Sequence, residues 1–318
     1  MLEQLLALLA DGRFHSGDEL GQQLGVSRAA VWKQLKKLDD LEIPCSSVKG
    51  KGYRLQEPVE LLSSSSITSQ LSPRLDRLDI LLDVDSTNSY LLERAGDHMG
   101  KRYAVLAEKQ RAGRGRRGRH WVSPFGKNIY LSLLVTLPGD LSGQEGLSLM
   151  TAIAVERALV QLGISGIGLK WPNDVYLDGR KLAGILLEAR QSQANYCQIV
   201  IGIGLNMALS DSDASSIEQP WAALRQYQPD LSRNQVAAVL LAQLLRTVEE
   251  FQRDGFAPWV QYWAERDVYY QKEVNLVSGI NEKRGIVKGV NRKGELLLQT
   301  EKGMEVIVAG ELSVRPVA

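Results

Sequence analysis

The spacing of hydrophobic residues changes twice along this chain of 318 residues. Apolar residues follow helical spacing up to about residue 56, and strand-like and helical stretches alternate between about 67 and 265. From about Glu273 onward, short alternating runs are separated by turn residues. Because one hydrophobic core rarely serves so long a chain, we expect three domains. Their predicted limits are 1–62, 63–268 and 269–318.

The middle of the chain has the pattern of a mixed α/β domain. Its strand-like stretches are 80–84, 103–107, 129–135 and 198–203, and its helix-like stretches are 142–162 and 234–253. The final segment alternates at 273–277, 285–290, 295–299 and 304–308, which predicts a small β barrel. No apolar run is long enough to cross a bilayer, so we expect no membrane partner.

Cysteine and histidine usage argues against a zinc site and against disulfides. Cys45 and Cys197 are far apart, and His15, His98 and His120 are scattered. The apolar stretch near the N-terminus is short and lacks the basic flank of a signal peptide. Together these features predict a cytoplasmic protein.

The segment 16–28 predicts a helix, a tight turn and a second helix. Leu20 and Leu24 fall on one face of the first helix, and Gly25 suits a left-handed cap. Ser27 is a good N-cap for the second helix. This is the pattern of a helix-turn-helix unit, and the second helix would be the recognition helix.

The second helix and the hairpin after it have a basic outer surface. Val31, Leu35 and Leu38 are spaced for burial, and the hairpin at 48–55 has lysines at its tip. Such a surface suits DNA phosphates, and a domain of this size would bind a palindromic site as a dimer. The alternative is an ordinary helical hairpin with solvated lysines. The predicted DNA contacts are Ser27, Arg28, Lys33, Gln34, Lys36, Lys37, Lys49 and Lys51.

A basic, glycine-rich loop at 110–121 is the most informative stretch. No acidic residue occurs from Lys109 to Gly139, although the net charge of the chain is only +1. Glycines let a backbone approach a ligand closely, and arginines offer paired donors to phosphate or carboxylate. The loop is therefore predicted to bind an anion, and it would be mobile until the anion orders it.

The glycines of this loop also match a dinucleotide-binding spacing, at Gly113, Gly115 and Gly118. That fold requires a helix directly after the turn, whereas the residues after Trp121 are typical of a loop. A P-loop motif is absent as well. The remaining alternatives are a solvated charge run or an RNA-binding arginine–glycine segment. The position between two strand-like stretches favours a lid over a site.

A second constellation surrounds Asp178 and Gly179, which together predict a two-residue hairpin turn. The turn places Lys181 at the start of the second strand. Asn173 and Asp174 could then converge with Lys181 at one end of the hairpin.

Five motifs occur in a fixed order: DSTN at 85–88, GRGRRG at 113–118, KWPND at 170–174, KLAGIL at 181–186 and IGIGLN at 201–206. With the helix-turn-helix segment in front, the chain resembles the bifunctional biotin–protein ligases, the biotin operon repressors of the BirA family. The resemblance covers nearly the whole chain. It implies an α+β protein with a winged helix-turn-helix, a central mixed α/β domain of the biotin/lipoate ligase type and an SH3-like β barrel.

The resemblance also implies an activity. Such enzymes use ATP and Mg²⁺ to convert biotin to biotinyl-5′-AMP, with release of pyrophosphate. They then transfer biotin to a lysine of the biotin carboxyl carrier protein of acetyl-CoA carboxylase. Biotinyl-5′-AMP serves as co-repressor, and the adenylate-bound homodimer binds the biotin operator.

The resemblance extends to individual residues. The implied biotin contacts are Ser86, Thr87, Asn88, Gln110, Arg114, Gly115, Arg116, Lys181, Gly184 and Gly204. The implied nucleotide contacts are Arg116, Arg119, Trp121, Asn173, Lys181, Asn206, Trp221 and Arg315. The implied catalytic residues are Lys181, Arg116, Arg114 and Asp174, and Asp174 is also the candidate magnesium ligand.

The chemistry fits these residue types. Attack of a carboxylate on the α-phosphate of ATP brings two anions together, so clustered cations are needed. No covalent enzyme intermediate is required, which agrees with the lack of a nucleophile–base pair. Three other interpretations stay open: a ligand sensor without turnover, a lipoate–protein ligase and an RNA-binding protein without enzymatic activity.

Overall fold

The computed structural model describes residues 1–318 except 70, 73–74, 140–143, 192–194, 279–280, 309–312 and 317–318. The N-terminal elements are α1 (Leu2–Leu9), α2 (Gly17–Leu24), α3 (Arg28–Asp40), β1 (Cys45–Val48) and β2 (Gly52–Leu55). The two strands pair in antiparallel fashion and form the wing. The predicted winged helix-turn-helix is confirmed.

Local sequence explains how α2 and α3 begin and end. Ser16 accepts a hydrogen bond from the Glu19 N–H in a capping box at the start of α2. Gly25 ends the helix with φ of 68°, a left-handed conformation that favours glycine. Ser27 caps α3, whose Val31 and neighbouring apolar residues at helical spacing are buried. The predicted capping roles of Gly25 and Ser27 are therefore correct.

A seven-stranded mixed sheet forms the centre of the molecule. Its order is β3-β4-β5-β9-β8-β7-β6, and only the β3–β4 pair is parallel among the pairings of this sheet that the structure describes. The strands are β3 (Arg77–Leu81), β4 (Tyr103–Ala107), β5 (Ile129–Pro138), β6 (Ile167–Lys170), β7 (Asp174–Leu177), β8 (Arg180–Gln191) and β9 (Tyr196–Leu205). The helices are α4 (Ser64–Thr68), α5 (Thr87–Arg94), α6 (Leu147–Gln161), α7 (Arg233–Asp254) and α8 (Val260–Ala264).

Helices cover both faces of this sheet. Alternate residues of β4 point to opposite sides: Ala104 and Leu106 join the core with α6 and α7, whereas Tyr103 and Val105 pack with α5. The predicted strand at 80–84 ends at Leu81 instead, and β6 was not predicted. The predicted first residue of α6, at 142, lies outside the described residues.

The C-terminal domain is a five-stranded antiparallel sheet with the order β13-β12-β11-β10-β14. Its strands are β10 (Glu273–Ser278), β11 (Asn281–Val290), β12 (Leu296–Thr300), β13 (Gly303–Ile307) and β14 (Ser313–Pro316). The predicted all-β character is confirmed, and β14 is an additional strand. Its buried residues join the core of the central domain. Among the described residues, no helix combines the length and apolarity that crossing a membrane requires.

Candidate active site and DNA-binding surface

A cleft on the central domain brings residues of all five motifs together. Its empty space of about 1070 Å³ includes the solvent at its open mouth. The glycine-rich loop lies on one side and the β7–β8 hairpin on the other. The predicted residues that line it are Ser86, Thr87, Asn88, Gln110, Arg114, Gly115, Arg116, Arg119, Trp121, Asn173, Asp174, Lys181, Gly184 and Gly204.

One end of the cleft is a buried network of hydroxyl and amide groups at the start of α5. The backbone N–H of Thr87 donates to Gln110 Oε1 at 2.9 Å, and the Thr87 hydroxyl donates to the same oxygen at 3.1 Å. The Ser132 hydroxyl donates to Asn88 Oδ1 at 2.6 Å and lies 2.7 Å from Thr87 Oγ1. Gln110 Nε2 donates to Ser123 Oγ. These polar groups are therefore held in place by packing and by one another.

The middle of the cleft contains glycines against which the Trp121 indole packs. A Cβ at Gly184 would lie 2.9 Å from Trp121 Cζ3, and a Cβ at Gly204 would overlap the same ring. The indole N–H is buried and has no hydrogen-bond partner among the described residues. The family resemblance implies biotin contacts at both glycines, and in this structure the group that packs on them is Trp121.

Two of the cations at this site are paired with carboxylates of the chain itself. Lys181 Nζ lies 2.7 Å from Asp174 Oδ1. Arg114 Nη2 donates to Glu188 Oε2 at 2.9 Å, and Asn88 Nδ2 donates to the same carboxylate oxygen. Each cation is thus oriented before any ligand arrives.

The hairpin turn that positions Lys181 matches its prediction. Asp178 and Gly179 have φ of 48° and 74°, as a type I′ turn requires. Asp174 lies opposite Gly184, away from the turn, whereas Lys181 lies next to the turn and opposite Tyr176. The convergence predicted at one end of the hairpin therefore depends on the reach of the long lysine side chain.

The loop itself is built by short backbone contacts. The Gly115 N–H donates to Arg119 O at 2.7 Å, and the Trp121 N–H donates to Gly113 O at 2.8 Å. A single 3₁₀ turn at Arg116–Gly118 follows the glycines, and extended backbone comes next. The rejection of a dinucleotide-binding helix was therefore correct.

Burial weakens the solvation of two cations at this site. It lowers the pKa of Arg116 and, against the opposing effect of Asp174, that of Lys170. Arg116 Nη1 donates to Asn173 Oδ1 at 3.2 Å, and Lys170 Nζ donates to Tyr176 Oη at 2.9 Å. An anionic ligand would compensate these cations better than water does in the free cleft.

Comparisons with known proteins agree with this site. The profile of the Biotin/lipoate A/B protein ligase family matches residues 82–206, an HTH domain profile matches 2–54, and the Biotin protein ligase C terminal domain profile matches 272–315. The chain is 42% identical over 312 residues to the bifunctional ligase/repressor BirA of Escherichia coli, which covers 98% of this chain and 96% of that protein. The chain belongs to the biotin protein ligase family.

Two further relatives support this membership. A biotin–[acetyl-CoA-carboxylase] ligase of Paracoccus denitrificans is 34% identical over 239 residues, covering 73% of this chain and 98% of that protein. The structure of a biotin protein ligase from Aquifex aeolicus in complex with biotin and ATP superimposes with a TM-score of 0.65 at 28% identity. That match covers 76% of this chain and 100% of the other. The family resemblance and the fold class deduced from sequence are confirmed.

The ligase has a second, smaller cavity beside the main cleft. Trp121, Lys181, Asn206 and Trp221 line it, so three predicted nucleotide contacts gather around the lysine. The backbone N–H of Lys181 donates to Pro220 O at 2.9 Å, which holds the segment that carries Trp221 beside the lysine. Arg315 is different: it is exposed on β14 and lines neither cavity. Arg315 nevertheless lies close enough to Lys170 to help lower the pKa of that cleft lysine, and its neighbour Val314 lines the cleft.

Sequence reasoning missed three polar residues of the ligase site. Glu188 holds Arg114, Ser132 holds Thr87 and Asn88, and Lys170 lines the cleft. Lys170 lies within the KWPND motif and Glu188 lies two residues after the KLAGIL motif, so their positions could have indicated a role in the site. Ser132 is one polar residue within an apolar strand, and its partners are distant in sequence.

Predicted metal binding rests on one carboxylate. Among the described residues, no group of three or more histidine, cysteine, aspartate or glutamate side chains could hold a metal ion. Asp174 is the acidic residue that lines the cleft. Mg²⁺ is often held by one or two carboxylates together with substrate phosphates, so this donor set fits magnesium that arrives with a nucleotide.

The outer surface of the helix-turn-helix domain is basic, as predicted. Arg28, Lys33, Lys36 and Lys37 are exposed on α3, and Lys49 and Lys51 lie in the turn of the wing. The predicted contacts Ser27 and Gln34 differ from these lysines: the Ser27 hydroxyl already caps α3, and Gln34 is half-buried.

An aromatic residue on this surface was missed by the sequence analysis. Trp32 is 48% exposed on α3, and the Lys36 ammonium lies 4.0 Å from the centre of its ring. Its helical spacing places it between Arg28 and Lys36 on the same face. An exposed aromatic side chain within a basic face could have been noticed from that spacing.

Proposed function

We propose that this ligase uses ATP to convert biotin to biotinyl-5′-AMP with release of pyrophosphate, and then transfers biotin to a lysine of the biotin carboxyl carrier protein of acetyl-CoA carboxylase. The observation that supports this most strongly is the gathering of Arg114, Arg116 and Lys181 beside glycines packed under Trp121. The Paracoccus denitrificans relative and the Aquifex aeolicus structure are named for biotin and not for lipoate, which favours biotin as the acid.

In this proposal the polar end of the cleft binds the ureido ring of biotin. Ser86, Thr87, Asn88 and Gln110 offer hydroxyl and amide groups that packing already orients. The aliphatic tail of biotin would lie along Gly184 and Gly204, with the Trp121 indole as the opposite wall. Because the indole packs directly on both glycines in this structure, it has to move away before the tail can lie between them.

The cations act on the two reacting anions. Arg114, Gly115, Arg116 and Lys181 would bind the biotin carboxylate and the α-phosphate, so that their mutual repulsion is offset. As the carboxylate oxygen attacks phosphorus, the bond to pyrophosphate breaks and negative charge develops on the phosphate oxygens. Lys181 would then leave its ion pair with Asp174 to bind the substrate, and Arg114 would leave its ion pair with Glu188 in the same way.

The nucleotide would occupy the second cavity and the adjacent part of the main cleft. Trp121 and Trp221 offer apolar walls to the adenine, and Arg119, Asn173 and Asn206 offer polar contacts. Arg315 would contact the nucleotide from the edge of the cleft, beside Val314. Bound Mg²⁺ would supply positive charge to the leaving pyrophosphate, and Asp174 would be its protein ligand.

The second step needs exclusion of water from the mixed anhydride. The loop at 110–121 would close over the adenylate and limit hydrolysis. The amine of the carrier lysine then attacks the acyl carbon, an amide bond forms, and AMP leaves with the electron pair. Asp174 could orient the incoming amine.

We propose further that the adenylate-bound ligase forms a homodimer that binds the biotin operator and represses transcription. Arg28, Lys33, Lys36, Lys37, Lys49 and Lys51 would contact phosphates and bases, with smaller roles for Ser27 and Gln34. The domain limits 1–62, 63–268 and 269–318 remain part of this proposal.

The first experiment is adenylate detection. The protein is incubated with biotin, ATP and Mg²⁺, and biotinyl-5′-AMP is measured by mass spectrometry beside the variants Lys181→Ala and Arg116→Ala. We expect adenylate from the wild type and strong loss in both variants. A folded wild-type protein that binds biotin but forms no adenylate would be a sensor, and the enzymatic proposal would be wrong. Lipoate offered in competition separates the two acids.

A further inference from the structure

Lys109 lies between the ligase cleft and the DNA-binding domain. Its side chain is only 11% exposed, and its ammonium donates to Leu41 O at 2.8 Å and to Glu42 Oε2 at 2.5 Å. Leu41 is the C-cap residue of the recognition helix α3. A cation at a helix C-terminus is favoured by the helix dipole. Lys109 therefore holds the end of α3 against the ligase domain.

The next residue in the chain belongs to the cleft. Gln110 accepts hydrogen bonds from both donors of Thr87 and donates to Ser123. The backbone here is extended and fixed, because the Val84 N–H donates to Lys109 O and the Gln110 N–H donates to Ser123 O. In extended chain, successive side chains point to opposite sides. Hence Lys109 faces the DNA-binding domain while Gln110 faces the ligand cleft.

The partner segment of Gln110 repeats this arrangement. Ser123 Oγ accepts a hydrogen bond from Gln110 Nε2. Phe125, two residues further along the chain, is buried in the core of the N-terminal domain. Both chains that meet at the Gln110–Ser123 hydrogen bond therefore also contact the DNA-binding domain. A displacement of that domain would therefore shift both Gln110 and Ser123, the two partners of one hydrogen bond in the cleft.

We infer that Lys109 is a positioning residue, which ties the docking of the recognition helix to the affinity of the cleft for biotin by way of Gln110. The inference rests on the proposed function. The docked α3 keeps Lys109 in place, the fixed backbone keeps Gln110 in place, and Gln110 keeps Thr87 oriented toward the ligand. Because such coupling is reciprocal, biotin must strengthen the docking of α3 by the factor by which docking strengthens biotin binding.

The test measures biotin affinity by titration calorimetry without ATP. Lys109→Met removes the charge without leaving a buried unpaired cation, and we expect it to weaken biotin binding about fivefold or more. Lys109→Arg keeps the cation and should recover most of that affinity. The matched control is Lys127→Met, which breaks the ion pair of Lys127 with Glu57 near the interdomain linker. It should bind biotin as the wild type does.

A second readout separates coupling from a merely structural role. The amides of Glu42 and Ile43 are hydrogen-bonded to Asp39 O and Leu38 O at the end of α3. Biotin should slow hydrogen exchange at these amides in the wild type and leave it unchanged in Lys109→Met, while thermal unfolding shows that the variant is folded.

Two results would overturn the inference. One is a folded Lys109→Met variant with wild-type biotin affinity, and the other is equal weakening by Lys127→Met. A wild-type protein that binds no biotin would refute the proposed function itself and would be recognised by that result alone.

Discussion

The cleft and the recognition helix are both basic, but they hold their cations differently. In the cleft, Lys181 and Arg114 are paired with Asp174 and Glu188 at distances below 3 Å. On α3 the lysines extend into solvent. A small ligand has to be met by groups of fixed geometry, whereas a DNA backbone presents a row of phosphates that long, solvated side chains can follow. The difference predicts that the two surfaces can be damaged independently.

The largest expected effect is at the lysine that would contact both reacting anions. Lys181→Ala should lower the rate of adenylate formation about 100- to 1000-fold, because one fixed donor to the developing phosphate charge is lost. Pyrophosphate release measures this rate. The matched control is the exposed Lys293→Ala, which should keep the wild-type rate. A Lys181→Ala enzyme within about tenfold of wild type would remove the contrast between the two surfaces.

A smaller effect is expected where backbone and indole pack together. Gly204→Ala adds a methyl group that overlaps Trp121, which should weaken biotin binding by about 1–3 kcal/mol. Calorimetry measures the loss. Combining the change with Trp121→Leu should restore part of the affinity if the overlap is the cause. Equal losses that simply add in the double variant would mean that the two residues act separately.

A substitution on the recognition helix should change the salt dependence of operator binding and leave the rate of catalysis unchanged. Lys33→Met should lower the slope of log K against log salt for operator binding by about 0.9, the contribution of one phosphate contact. The rate of adenylate formation should stay that of the wild type. Fluorescence anisotropy with labelled operator at several salt concentrations gives the slope. An unchanged slope would show that Lys33 lies away from the DNA.

The smallest predicted effect concerns pH and the N-terminal domain. Partial burial opposes ionisation of His15, but hydrogen bonds to Asp11 and Glu19 raise its pKa above the usual value. Stability from a raised histidine pKa is present below the usual value of about 6.5 and is lost as pH rises through the raised one. Thermal unfolding of His15→Gln should therefore differ from wild type near about pH 5.5 and converge by about pH 8. A difference that grows with pH would contradict this sign.

Short-range signals in the sequence predicted the parts of the fold that are built locally. The caps at Gly25 and Ser27 and the turn at Asp178 and Gly179 depend on a few neighbouring residues, and all were predicted correctly. Motif order also located the cleft. The residues that line the cleft could be named from the sequence because each of the five motifs contributes its own side chains.

The contacts that orient those side chains could not be predicted in the same way. Asn88 and Glu188 are bonded although they are 100 residues apart, and Thr87 and Ser132 are 45 apart. Such pairs depend on which strands are neighbours, and β9 inserts between β5 and β8. Arg315 depends on strand placement in the same way: it is exposed on β14, whose Val314 lines the cleft.

The carboxylates of Asp174 and Glu188 make the resting cleft selective. Each is a competitor tethered beside its cation, so its effective concentration is far above that of a free anion in solution. Inorganic phosphate gains only the ionic contact, so it should displace the carboxylate less readily than a ligand with further contacts does. A molecule that also fills the groove along Gly184 and Gly204 contributes the additional free energy that displacement requires. The ion pairs at Lys181 and Arg114 should therefore favour a ligand that fills this groove over an anion that offers charge alone.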